Sequence, residues 1–267
     1  MSAHQTTSPA CVITTSWDDG HPLDLRLAEL LSKYGLPGTF YAPLRSQRET
    51  MSAAQIRELS GSFEIGGHTV SHVDLNSVPL QTGKDEIAGC KQELEAITGR
   101  ACESFCFPLG HYRAEHLAEV KRCGFTLART VELMSFDFPR KAAGIAVVPT
   151  TVQAYASGQG AVMRNGLKRL NAGNLLRALR CRRDDWSMTA DRLLDEFWKT
   201  GGVFHLWGHS WEIEESGDWQ RLESVFSRIS EFRSQAVLLN NHDLLSHEGW
   251  TRGSVRMLSS QVDKAEA

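Results

Sequence analysis

The chain has 267 residues, 41% hydrophobic and 23% charged, which suits one sizeable soluble core. A net charge of −3 excludes the broadly basic surface that binding nucleic acid by charge requires. No apolar run is long enough to span a bilayer, so neither a transmembrane segment nor a nucleic-acid partner is expected.

CVITTSW, starting at Cys11, reads as a buried strand, and PLDLRLAELLSKYG as an amphipathic helix closed by Gly35. GTFYAP is a second strand, and SAAQIRELS a helix with Ser52 at its N-cap. SFEIGGH is the third strand, followed by the long helix GKDEIAGCKQELEAITG. ESFCFPLG is the fourth strand, AEHLAEVKRCG a helix, FTLART the fifth strand and IAVVPTTVQAY a sixth. A basic helical stretch leads into SMTADRLLDEFWKTGG, a helix stopped by Gly201 and Gly202. The strand VFHLWGH, the helix DWQRLESVFSRISEF and the strand AVLLNN complete the alternation. The pattern predicts a single-domain α/β fold, a distorted, partly closed (β/α)7-8 barrel. Its expected span is 11–250, flanked by a loosely packed N-terminal segment, 1–10, and a C-terminal tail, 251–267.

The six cysteines are scattered with no CxxC pair, and the polar start MSAHQTTSPA has no apolar export-signal core. The expectation is a cytoplasmic protein with reduced thiols. The sequence says nothing of its oligomeric state.

In β/α barrels chemistry gathers where strands end. Asp18 and Asp19 follow the first strand, His68 and His72 the third, and Pro108 to Tyr112 the fourth, while His209 ends VFHLWGH. Adjacent carboxylates repel and are costly to bury uncompensated. His68 and His72 are four residues apart, the spacing at which a helical turn sets two imidazoles on one cation. Two histidines and one aspartate make a three-ligand site with open positions, as in catalytic zinc centres. Such ligands also admit cobalt, nickel, manganese or iron. One aspartate then ligates the metal, and the other takes a proton from the attacking water. The competing explanation of the pair is an Asp-Gly turn capping the next helix.

Ser16-Trp17-Asp18-Asp19-Gly20 resembles the first motif of the polysaccharide deacetylases (NodB-homology, carbohydrate esterase type), Thr-Phe-Asp-Asp-Gly. His68-Thr-Val-Ser-His72 resembles their second, His-Ser/Thr-x-x-His, and the likeness runs from about Cys11 to Leu245. It implies that Asp18 is the catalytic base and that Asp19, His68 and His72 hold the metal. FCFPLGHYR resembles the third motif, Arg-x-Pro-Tyr/Phe-Gly, whose backbone N–H helps hold the oxyanion and maps to Leu109. Two positions depart: Cys106 stands where the family has the arginine that steadies the base, and Leu109 replaces the aromatic. Either Arg113 or Arg129 replaces that arginine, or the base is tuned otherwise.

The resemblance also implies a late histidine as general acid, which is His209. Alternation puts Val203, His205, Trp207 and His209 on one face, with His205 a deeper core histidine. Trp207 and Trp211 either stack on a sugar or fill the core. His111 and Tyr112 are further candidates for substrate contact, and Asp185 is a helix-capping acid or a distant support. Between Arg164 and Arg183 the chain carries seven Lys/Arg and no acid, either a solvated helix face or a cradle for a phosphate or membrane. The expected activity is metal-dependent removal of an N-acetyl, or N-formyl, group from a nucleotide- or lipid-linked amino-sugar precursor in surface polysaccharide biosynthesis. The alternatives are an allantoinase-like hydrolase of a small non-sugar amide and a sugar-binding pseudoenzyme.

Overall fold

The computed structural model describes residues 10–155, 172–181 and 185–247. The expected N-terminal segment up to residue 9, the tail 251–267 and all but 172–181 of the basic stretch lie outside the described residues. In chain order the elements are β1 (Cys11–Asp18), α1 (Asp24–Tyr34), β2 (Thr39–Ala42), α2 (Ala53–Leu59), β3 (Glu64–Gly67), α3 (Leu80–Thr98), β4 (Ser104–Cys106), α4 (Ala114–Arg122) and β5 (Leu127–Arg129). There follow β6 (Arg140–Ala142), β7 (Ile145–Val148), β8 (Val152–Gln153), α5 (Ala172–Arg180), α6 (Trp186–Thr200), β9 (Gly202–Gly208), α7 (Ser210–Ser216), α8 (Trp219–Glu231) and β10 (Val237–Leu238).

One sheet runs in the order β6-β7-β5-β4-β3-β2-β1-β9-β8, with β10 against the first half of β1. Every ladder is parallel except the β6–β7 hairpin. The sequence pattern does not predict that hairpin, and the predicted sixth strand is two: Pro149 separates β7 from β8. Among the described residues no ladder closes the curled sheet. Residues 132–136 bridge its ends instead: the Thr150 amide donates to Glu132 O at 2.6 Å, Met134 to Thr151 O at 2.9 Å and Val203 to Phe136 O at 2.8 Å. The result is the expected single-domain, partly closed α/β barrel.

The strands divide their side chains by parity. From β1, Ile13 and Trp17 face the helices, where Trp17 meets Phe226 of α8 edge-on at 5.9 Å. Phe204 of β9 packs on Phe197 of α6, the rings 5.9 Å apart and tilted by 54°. The alternate residues face the lumen, which is polar and paired. Asn241 accepts from Thr14 at 2.6 Å and donates to Tyr41 at 2.9 Å. Glu64 accepts from Thr39 at 2.7 Å, from Ser104 and from the His242 amide at 3.1 Å. One layer up, Ser16 meets His205 Nε2 at 2.8 Å. Each of these polar side chains meets a hydrogen-bond partner in place of water, which keeps the cost of burying it low.

This crowding explains a glycine of EIGGH. Gly66 pairs with Tyr41 across the β2–β3 ladder, and a Cβ on it would lie 2.4 Å from the Tyr41 ring. Tyr41 is fully buried and held at its hydroxyl. Gly66→Ala is expected to cost about 1–3 kcal/mol by overpacking, measured as a lowered urea midpoint at unchanged slope.

Candidate active site

The C-terminal ends of β1, β3, β4 and β9 open on a cleft of about 780 Å³ containing Asp18, Asp19, His68, His72, Leu109, Trp207, His209 and Trp211. Adjacent residues at a strand end diverge, and the two aspartates do so completely. Asp18 continues the β1 alternation into the lumen, whereas Asp19 takes a left-handed φ of 78° and turns into the cleft. Its Oδ1 lies 2.9 Å from His72 Nε2 and 3.4 Å from His68 Nε2.

The two histidines do not share a helix, although their spacing suggests one. They flank a loop in which Thr69 and His72 adopt left-handed φ values of 63° and 52°, and their rings stand 4.9 Å apart. Non-glycine residues in that region cost about 1–3 kcal/mol each, most of all a β-branched threonine. Asp19, Thr69, His72 and Leu109 are four such residues at one site. The surrounding ladders hold this strain.

The Asp19, His68 and His72 ligand atoms all lie within 4.8 Å of one another. His68 Nδ1 donates to the Cys106 carbonyl at 2.8 Å, which turns Nε2 towards Asp19. Asp19 Oδ1 is buried without a hydrogen-bond donor in proper geometry. An orphaned carboxylate oxygen facing two oriented imidazoles fits a divalent metal. The other oxygen, Oδ2, accepts from the Trp211 indole N–H at 2.9 Å. Burial opposes ionisation of Asp19, but the two histidine contacts and the charge on His209 hold its carboxyl far below the usual range.

Asp18 is 3% exposed and pairs with Arg129, the last residue of β5, which is itself fully buried. Of the two arginines proposed from the sequence, Arg129 is the one at the base. Arg113 instead donates to the Leu75 carbonyl at 3.3 Å. The Arg129 guanidinium lies between the rings of Trp207, at 4.5 Å, and Tyr41, at 5.3 Å. The Cys106 thiol, whose pKa burial raises strongly, donates to Asp18 Oδ2 at 3.6 Å. Burial works against the Asp18 carboxylate, yet Arg129, with help from His68 and His209, brings its pKa below the ordinary value.

His209 lies 3.9 Å from Asp19 Oδ2, and its Nδ1 is 2.6 Å from Glu212 Oε2. Burial lowers its pKa, but the Glu212 hydrogen bond and the two aspartates lift it to about 9, so the ring holds its proton. His205 is the opposite case: buried among lumen groups, its pKa falls to about 3 and it is neutral. Leu109 has a left-handed φ of 58° in the turn after β4, with its side chain 62% exposed at the cleft rim. His111 and Tyr112 do not line the cleft. His111 turns to Asp74 at 3.0 Å, and Tyr112 stacks on Phe107 at 4.1 Å. Asp185 is the N-cap of α6, accepting the Met188 amide at 2.8 Å.

Sequence reasoning missed Glu212 and Asp24. A signal for Glu212 existed in its position three residues after His209 on a helix start. Asp24 is fully buried; its Oδ1 accepts from Ser210 at 2.5 Å and its Oδ2 has no partner. It ties the start of α1 to the start of α7, and burial raises its pKa well above the usual carboxylate range.

Arg129→Met is expected to cost about 3–5 kcal/mol in urea unfolding, because it strands Asp18 in the lumen, while Arg129→Lys should recover part of the loss. For Asp24, a raised folded pKa means that the folded state binds the proton more tightly than the unfolded chain. Its contribution to stability is therefore full below about pH 4 and declines as pH rises towards the folded pKa. Asp24→Asn should flatten that decline in unfolding measured from pH 4 upward.

Residues 5–128 match the family model described as "Polysaccharide deacetylase". YxkH of Bacillus subtilis (strain 168), assigned to the polysaccharide deacetylases, is 26% identical over 129 residues, 47% of this chain and 46% of the relative. The chain thus spans about half the length of the curated relative it matches. Among solved structures, a Mycobacterium smegmatis protein assigned to the polysaccharide deacetylases is similar at a TM-score of 0.65 and 15% identity over 91% of each chain. The chitin deacetylase of Colletotrichum lindemuthianum is similar at 0.57 and 12%, over 89% of this chain and 88% of that one. At these identities the structures speak for the fold alone. Residues 5–128, which carry Asp18, Asp19, His68 and His72, are thus similar to the polysaccharide deacetylase family.

Proposed function

We propose that the chain hydrolyses the N-acyl amide of an amino sugar, removing acetyl or formyl, with a divalent metal held by Asp19, His68 and His72. The observation that carries this reading is the inequivalence of the two carboxylates. Asp19 faces two imidazoles, while Asp18, although within 4.8 Å of ligand atoms on His68 and Cys106, is paired with a buried arginine that holds it ionised.

Asp19, His68 and His72 would hold a divalent cation, zinc in the first instance, which would supply Lewis acidity next to the acyl group and the attacking water. Asp18 takes the proton from that water; Arg129 keeps it ionised and Cys106 fixes its second oxygen. The left-handed turn at Leu109 presents a backbone N–H to the developing oxyanion. His209, already protonated and oriented by Glu212, gives its proton to the departing amine. Trp207, Val131 and Leu133 supply the apolar lining that keeps other water from the acyl group.

No helix among the described residues is long and apolar enough to cross a membrane. The six cysteines are free thiols, which supports a reducing compartment and with it a nucleotide- or lipid-linked precursor as substrate.

Asp18→Asn is expected to lower turnover of the acylated sugar by about 10²-fold or more while metal content, read by elemental analysis, stays unchanged. Full turnover in that variant would remove Asp18 from the mechanism. Mass spectrometry of the product separates acetyl from formyl release.

A further inference from the structure

The cleft carries a feature that amide hydrolysis does not use. Among its described lining residues Arg48, on the segment between β2 and α2, is the only lysine or arginine. Its guanidinium carbon lies 3.5 Å from the centroid of the Trp211 ring. The same indole donates its N–H to Asp19 Oδ2 at 2.9 Å, so one aromatic ring separates the arginine from a residue of the ligand cluster.

The segment is built to hold that side chain. The Leu44 and Arg45 amides both donate to the Val70 carbonyl at 3.0 Å, and the Met51 amide to Gly20 O at 2.7 Å. The Arg48 amide donates to Ser46 Oγ, which in turn donates to the Arg48 carbonyl, each at 3.0 Å. Stacking on the indole leaves the edge of the guanidinium, with its fork of N–H donors, as the part free to bind. Glu215 takes one of the five donors, at 3.0 Å, with both side chains largely exposed (47% and 61%). A single exposed ion pair of this kind contributes little and yields readily to a better-placed anion.

Apart from Asp19 of the ligand cluster, the acidic residues of the cleft are paired from within. Asp18 has Arg129, Glu212 has His209, and Asp74 has His111. Arg48 is thus the cleft's outward-facing cation, close enough to the ligand cluster for one sugar to reach both.

We propose that Arg48, laid on Trp211, is an oxyanion-recognising subsite, and that the sugar taken by this cleft carries a phosphate or a carboxylate besides its N-acyl group. The proposal rests on the hydrolase reading for its substrate, but the subsite itself is testable without turnover. If Arg48 were only a rim ion pair anchoring α7, its loss would lower stability and leave discrimination by substrate charge untouched.

The full-length, metal-loaded protein is assayed on N-acetylglucosamine, N-acetylglucosamine 1-phosphate and N-acetylmuramic acid. The wild type should favour at least one of the two anionic sugars by about tenfold or more in kcat/KM, mainly through KM. Which of the two is favoured separates phosphate from carboxylate. In Arg48→Gln that ratio should collapse towards one, and Arg48→Lys should keep part of it. In parallel, chelator-treated protein is titrated with N-acetylglucosamine 1-phosphate, N-acetylmuramic acid and neutral N-acetylglucosamine, followed by tryptophan fluorescence. A saturable change with the favoured anionic sugar alone, lost in Arg48→Gln, supports the subsite. Charge-selective binding without turnover of any sugar would keep the subsite and overturn the hydrolase reading. Turnover with no charge preference, or a preference that survives in Arg48→Gln, would overturn the subsite and leave the hydrolase standing.

Discussion

The pairing of Asp18 with Arg129 in the lumen is the constraint around which the rest of the site is arranged. A carboxylate at 3% exposure is tolerable only with a cation and further donors around it. That cation cannot come from solvent, so it comes from β5, and it needs aromatic faces, here Trp207 and Tyr41, to lie against. Two consequences follow along the strands. The lumen-facing residue of β4 must be small and neutral beside the guanidinium, which Cys106 is. The lumen layers beneath must be self-satisfied, as the Asn241 and Glu64 networks are, so that Arg129 has no competing acid. In the family that this chain resembles, the steadying arginine stands at the position of Cys106. A second guanidinium there would share the same dry space as Arg129, so arginine on β5 and cysteine on β4 make a coherent exchange.

Most of the scaffold was legible from periodicity alone. Strands bounded by proline and glycine, alternating with amphipathic helices, pointed to the parallel sheet, and the β9 alternation correctly put His205 and Trp207 on one face. Pairing across the barrel was hidden, because Asp18 and Arg129 are 111 residues apart and nothing local distinguishes Arg129 from Arg113. The geometry of the histidine pair was also hidden. A spacing of four suggests a helical turn, and only left-handed φ values at Thr69 and His72 reveal a loop. His111 and Tyr112 sit in the right loop but face the wrong way, since Asp74 and Phe107 offer them closer partners.

The indole of Trp211 shows how a surface aromatic becomes part of a polar site. Its N–H occupies one oxygen of Asp19 and so decides which oxygen is left to face the histidines. Its face carries Arg48. One side chain thus connects the inorganic end of the cleft to its rim, and any change in how the ring sits is felt at both.

The seam made by residues 132–136 has an implication of another kind. Those residues lie between the β7 edge of the sheet and its β9–β8 edge, held by scattered backbone hydrogen bonds and not by a ladder. Val131 and Leu133, which line the cleft, belong to the same stretch. A ladder transmits any insertion as a change of register, which would carry inward-facing residues such as Asp18 and His205 to the wrong face. A seam does not. Its length can drift over generations while the strands that carry the aspartates and histidines keep their alignment. The stretch that lines the cleft with Val131 and Leu133 can therefore change in length without moving the strands beside it.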